Sequence, residues 1–342
     1  MEKSFEAHET LLYNHAAAFA PLETLYIGGG TPGFWGEEGA YYLAQFLKDR
    51  GIKLASNCEF TLEVNPGSTQ QQSLLKWFNI GVNRVSVGVQ SFSAEYLKAL
   101  DRIHSLADAV QILKFLKQQK INFSVDLMIG LPQIGIDRNL ALELQTALDL
   151  GAKHLSVYIL TTGKSYIHGK HLPKDDVLER EFLEVSKFLS SHGLVHYEVS
   201  NFGLPGFFSQ HNLAYWRSQS VAALGPSATG LIVSDNKNAV RYKWHPERLQ
   251  PVIENLGEKE LRLENLYLKM RTFEGLSVDE LLAPVKVKFK NQVQEDLSHL
   301  IGTWNQARYL EPSGINNIKL APSGFIMLDS LMGDLFKIRN LI

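Results

Sequence analysis

Residues 22–33 read LETLYIGGGTPG, a short run of β-formers that ends in three glycines, a threonine and a proline. Glycine and proline punctuate a chain, so this is a strand closed by a turn that lets a ligand approach the backbone. The same unit recurs outward from it. EFTLEV (59–64) is followed by Asn65, NRVSVGV (83–89) by Gln90, and HLSVYIL (154–160) by Thr161 and Thr162. FSVDLMI (123–129) carries Asp126 just before GLP. Helical patterns over 37–50, 69–80, 93–120 and 137–150 separate the strands. A long amphipathic helix near 174–192 then leads to a further strand, VHYEVSNF (195–202). Near-continuous apolar strands alternating with helices predict parallel βα units with right-handed crossovers, covered on both faces. In such folds function gathers on the loops at the carboxyl ends of the strands. Glu63, Asn65, Gln90, Asp126 and Thr161 fall there. Each alone reads as turn chemistry or a cap; together they suit an elongated polar ligand lying across the mouth of a barrel.

Composition narrows the partners. A chain of 342 residues suggests roughly two domains. Its 34 basic against 36 acidic residues leave a net charge of −2, which argues against a general nucleic-acid surface. No apolar run reaches the roughly 18 residues of a membrane span. Residues 1–20 mix acids and histidines into a helical pattern, unlike a secretory leader. A soluble, cytoplasmic chain is expected. Cys58 is the single cysteine, so there is no internal disulfide, no CxxC site and no set of three thiolates for a cluster. It reads as a buried structural thiol.

The βα alternation stops near residue 205. The reading is a partial barrel over 1–205, a loop-rich aromatic connecting segment over 206–255, and a mainly helical module over 256–342. In that module, helices over 258–274, 276–283 and 290–307 precede a weak hairpin in YLEPSGINNIKLAPSG (309–324) and a last helix over 324–338. This order is winged-helix-like, and with little basic excess it points to packing or protein contact rather than DNA.

Seven motifs stand in order along the chain: GGGTP (28–32), EVNPGS (63–68), GVNRVSVGVQSF (81–92), DRIHS (101–105), VDLMIGLP (125–132), HYEVSNF (196–202) and HNLAYW (211–216). On these the sequence resembles the oxygen-independent coproporphyrinogen III oxidase-like family of radical S-adenosylmethionine (SAM) proteins, above all its haem-chaperone, HemW-type branch. The resemblance implies a partial (β/α) barrel of radical SAM type. It implies that Gly29, Gly30 and Thr31 meet the amino and carboxylate groups of SAM, and that Glu63 contacts its polar groups. Gln90, Arg102, Asp126 and Thr161 fill further cofactor-binding positions. Arg102 suits a carboxylate through its planar fork of donors, and Asp126 suits a ribose hydroxyl or a sulfonium-side contact. The HNxxYW-like residues His211, Asn212, Tyr215 and Trp216 imply haem binding, with a loop-borne His211 as iron ligand and the aromatic rings against the porphyrin. The implied function is a haem chaperone that passes haem to an acceptor protein. A porphyrin-synthesising radical enzyme and a degenerate non-catalytic paralogue are the alternatives.

The family also carries a CxxxCxxC loop holding a [4Fe–4S] cluster, and this sequence has no such loop. Met1 falls after the position of that loop, and the pattern over 3–20 reads as the first barrel helix. The cluster is therefore expected in a complete family member and not on these residues. GPSATG (225–230) and TTGKSY (161–166) also depart from the family pattern, which weakens the roles of Ser227 and Thr229 and alters one wall of the ligand pocket.

Overall fold

A computed structural model describes residues 21–29, 32–67, 71–163, 165–235, 237–248, 250–312 and 316–341. The helix expected over 3–20, and Gly30 and Thr31, lie outside them. The described chain forms two compact units, Pro21–Ser209 and one containing Gln210–Ile342.

The first unit is built on a seven-stranded sheet in the order β1-β2-β3-β4-β5-β7-β6. β1 (Leu22–Ile27), β2 (Leu54–Val64), β3 (Arg84–Gln90), β4 (Asn122–Ile129) and β5 (His154–Ile159) are parallel neighbours. The connecting helices are α1 (Gly36–Asp49), α2 (Gln71–Asn79), α3 (Ala94–Ala99), α4 (Leu106–Gln118), α5 (Leu140–Asp149) and α6 (Asp175–Ser191). This is the alternation expected from the sequence.

Three details differ. The single helix expected over 93–120 is two, because Asp101 takes a left-handed φ of 50° and Ser105 and Asp108 form a reciprocal capping box that starts α4 afresh. The strand expected over 195–202 is a hairpin of β6 (Val195–Glu198) and β7 (Asn201–Gly203), antiparallel to each other. Glu198 accepts from the Ser200 amide at 3.2 Å and from the Asn201 side chain, which folds the chain back. The sheet is also not apolar on both faces. Phe60, Leu62, Val85, Val87, Phe123, Val125, Leu127, Leu155 and Val157 are buried on one side. The alternate positions bury Thr61, Arg84, Ser86, Ser124, His154 and Ser156. A strand's side chains alternate between faces, and small serines and threonines hid that alternation within runs that looked uniformly apolar.

The second unit opens with α7 (Gln210–Trp216). Where a loop-rich connection was expected there is a three-stranded antiparallel sheet of β8 (Thr229–Val233), β9 (Ala239–Trp244) and β10 (Pro251–Leu256). Its β8–β9 turn is held by Asp235, which accepts from the Lys237 and Asn238 amides at 2.7 and 2.8 Å. Ile232, Tyr242 and Trp244 form its core. The remainder is helical: α8 (Glu258–Met270), α9 (Val278–Leu282), α10 (Lys290–Gln306), α11 (Pro322–Ile326) and α12 (Leu328–Phe336). The last expected helix is thus broken at Met327. Among the described residues, the hairpin over 309–324 shows as the Leu310–Leu320 bridge, flanked by the Glu311 amide donating to the Lys319 carbonyl and the Ala321 amide to the Tyr309 carbonyl, each at 2.9 Å. Residues Asn317–Ile318 (β12) pair instead with Leu276–Ser277 (β11), ahead of α9.

Candidate functional site

The polar face of the first unit carries a row of groups in strand register. Glu63 on β2 lies opposite Ser86 on β3, Ser86 opposite Ser124 on β4, and Asp126 opposite Ser156 on β5. The Tyr26 hydroxyl donates to Glu63 Oε1 at 2.5 Å, and the Gly29 amide donates to Oε2 at 2.9 Å. Gly28 is required between them, since a Cβ there would lie 2.4 Å from the Tyr26 ring and 2.8 Å from the Glu63 carboxyl carbon. Burial and the neighbouring Glu63 hold the Tyr26 phenol well above its usual pKa, so it stays a donor. Ser86 donates to Asp126, its oxygen 3.0 Å from Oδ2 and 2.8 Å from Ser124 Oγ. Burial pushes the Asp126 carboxyl up to about 6, with hydrogen bonds from Ser156 and Ser86 and the charge of Arg84 opposing the shift. Two carboxylates, one poised near neutrality, therefore line one side of the sheet.

Gln90 ends β3 with a φ of 69°. Its amide group and the Asn65 side chain meet above Gly88, where a Cβ would stand 2.9 Å from Gln90 Nε2 and 2.7 Å from Asn65 Oδ1. Gln90 Oε1 is a buried acceptor with no hydrogen-bond partner among the described residues.

Next to this row lies a second tier of buried polar groups. Arg84, 3% exposed, stands 3.9 Å from Glu59 and 3.5 Å from His154 Nδ1. His154 Nε2 is 2.8 Å from the Tyr197 hydroxyl, which accepts the Ser209 amide at 3.2 Å. Burial first, and then Arg84, lower the His154 pKa far below its ordinary value, so the ring is neutral. Tyr26, Arg84, Ser86, His154, Ser156 and Tyr197 were all missed by the sequence reading. The signal available was the two-residue spacing Arg84–Ser86, Ser124–Asp126 and His154–Ser156.

The other expected site residues are distributed differently. Arg102 belongs to the turn after α3, lining a cleft of about 450 Å³ with Leu97, Lys98, His104 and Ser105. Burial lowers its pKa, and His104 anchors the same turn to the Val89 carbonyl at 3.2 Å. Thr161 is exposed in the loop after β5. His211 is not in a loop: it occupies the first turn of α7, half-buried. The α7 helix forms because HNLAYW lacks a breaker. His211 and Tyr215 lie one turn apart with ring centroids 5.3 Å from each other, edge to face. The Trp216 ring is covered by the Arg271 guanidinium at 4.6 Å, and its Nε1 is buried with no hydrogen-bond partner among the described residues.

The donor set does not suit an iron–sulfur cluster. Cys58 is buried, and burial followed by Glu59 raises its thiol pKa away from thiolate. Among the described residues no three His, Cys, Asp or Glu side chains converge as metal ligands. Nor is any helix among them long and apolar enough to cross a membrane.

A mostly parallel α/β sheet whose strand ends carry this polar row is the partial (β/α) barrel of the radical SAM class, and the model of the Radical SAM superfamily matches residues 4–143. The solved coproporphyrinogen III oxidase (HemN) of Escherichia coli, a radical SAM enzyme, superposes with a TM-score of 0.76 over 98% of this chain and 83% of its own, at 17% identity. That likeness is one of fold. The heme chaperone HemW of Synechocystis is 31% identical over 320 residues, 89% of this chain and 76% of that protein. HemW of Escherichia coli is 35% identical over 224 residues, 64% of this chain but only 59% of that protein's length. The chain belongs to the HemW family of radical SAM proteins.

Proposed function

We propose that this chain binds haem through α7 and delivers it to an acceptor protein, as a haem chaperone of HemW type. The observation that carries the reading is the His211–Tyr215 pair. Residues four apart share one helix face, and here an imidazole and a phenol ring stand edge to face at 5.3 Å on a partly exposed surface. The imidazole supplies an axial iron ligand and Tyr215 a flat apolar wall. Trp216 shapes the end of the helix under Arg271 rather than offering a bare ring on both sides.

The strand-end row is proposed as a SAM site. Glu63 and Asp126 suit the ammonium and ribose hydroxyls, and the unpartnered Gln90 Oε1 suits a donor of the ligand. The missing Cβ atoms of Gly28 and Gly88 leave room for the side chains of Tyr26 and Glu63 at one and of Asn65 and Gln90 at the other. Gly29, Gly30, Thr31, Arg102 and Thr161 complete the proposed set. SAM bound there would supply a sulfonium and an adenosyl group. Among the described residues the donors do not fit a [4Fe–4S] cluster, and what they support is binding of SAM.

Haem titration of the wild-type chain and His211→Ala tests the main reading. A Soret band that shifts and weakens in the variant supports it. A variant with unchanged Soret maximum and affinity overturns it.

A further inference from the structure

Gln90 sits at the apex of an unusual turn. Its φ is 69°, and the Ser91 amide donates to the Val89 carbonyl at 2.9 Å, closing a γ-turn of the positive-φ kind. Such turns are rare and strained in any residue but glycine. A strained backbone persists only where its surroundings over-determine it, and that pattern concentrates at functional sites.

The restraint comes from a distant helix. Glu143, in the first turn of α5, is 6% exposed. Its Oε2 accepts from Ser91 Oγ at 2.6 Å and from the Phe92 amide at 2.6 Å. Its Oε1 accepts from Arg138 Nε at 2.6 Å, and Arg138 lies over the Tyr96 ring at 5.5 Å. The Ser93 amide donates to Ser91 Oγ at 3.1 Å. Two residues on the carboxyl side of Gln90 are thus pinned by one buried carboxylate, whose own charge is met by Arg138. Charge-assisted hydrogen bonds of this length are the strong ones.

We propose that Glu143 is a positioning residue for the strand-end site: it holds the Ser91–Phe92 backbone so that Gln90 keeps the strained turn that presents its side-chain amide to the ligand. The inference rests on the reading of the strand ends as a SAM site. Glu143 itself touches no ligand in this scheme. A conventional buried ion pair would stabilise α5 without any connection to Gln90, and the two roles separate experimentally.

Calorimetry with SAM on the full chain, with Glu143→Gln, Gln90→Ala and the double variant, makes the separation, and thermal melting confirms that each is folded. Glu143→Gln is expected to weaken SAM binding about tenfold when Gln90 is present and to have no further effect when it is alanine, as coupled neighbours do. Amide exchange at Ser91 and Phe92 is expected to rise in Glu143→Gln without ligand. Should Glu143→Gln fail to fold, Ser91→Ala removes one of the same bonds and is expected to show the same coupling. Equal losses in both backgrounds, or no loss, overturn the inference alone. If Gln90→Ala leaves wild-type SAM affinity unchanged, the inference alone fails; if the wild-type chain takes up no SAM at millimolar concentration, the reading of the site fails and the inference with it.

Discussion

Tyr26 on β1 donates its hydroxyl to Glu63 on β2 at 2.5 Å, so one carboxylate of the strand-end row is held from the neighbouring strand. The second Glu63 oxygen is fixed by the Gly29 amide. The row is thus held at Glu63 by Tyr26 and the glycine turn, and at Asp126 by Ser86.

Tyr26→Phe keeps the ring and removes only the donor. A hydrogen bond to a charged partner contributes about 1.5–3 kcal/mol, less where water can replace it. The half-buried setting of Glu63 places the expected loss near the lower end, about 1–2 kcal/mol in urea unfolding. An unchanged unfolding midpoint would show that water substitutes fully for the phenol.

Asp126 makes stability depend on pH. Its folded pKa, about 6, lies above the ordinary 3.8, so the folded state holds the proton more tightly than the unfolded one. Between those values the folded state binds more protons, and stability falls as pH rises from about 4 to about 6. Above that window the carboxylate is a cost of at most about 3 kcal/mol, and partial solvent access brings it to roughly 1–2. Asp126→Asn is therefore expected to be more stable than wild type at pH 7, with the difference gone by pH 4. Chemical denaturation at both pH values measures it. A variant less stable at pH 7 contradicts the assignment.

For haem, ligation and stacking have different expected costs. Replacing Tyr215 by alanine removes one aromatic wall, about 1 kcal/mol or roughly a fivefold weakening. His211→Ala removes the proposed iron ligand and is expected to shift the Soret maximum as well as weaken binding by more than about tenfold. Spectral titration of both variants ranks them. A larger spectral change in Tyr215→Ala would move the ligand assignment away from His211.

Anaerobic reconstitution of this chain with iron and sulfide is expected to leave it far below the roughly four irons that a [4Fe–4S] cluster requires. Iron analysis after desalting decides it. Stoichiometric iron and sulfide retained by the purified chain would contradict the donor inventory around Cys58.

The sequence by itself determined the βα alternation, the strand ends, the single cysteine and the placement of Glu63 and Gln90 beside turns, whereas Asp126, expected at a strand end, lies inside β4 opposite Ser156. These are local properties: hydrophobic runs, glycine and proline punctuation, and residue identity. Motif resemblance added the family and pointed to His211 and Tyr215. It did not place them on a helix, because a seven-residue helix gives too short a window for periodicity to register. The antiparallel sheet of β8–β10 escaped for a related reason: its strands are short and mixed in polarity, and their pairing, not their composition, makes them strands. Only the tertiary structure decided which groups meet. Tyr26 reaches Glu63, Ser86 reaches Asp126, Arg84 reaches His154, and Glu143 reaches the turn at Gln90 because parallel strands and the α5 helix bring residues far apart in sequence into register. Their partners are set by strand order and by which face each side chain takes, and a buried charge keeps its place only where those partners satisfy it.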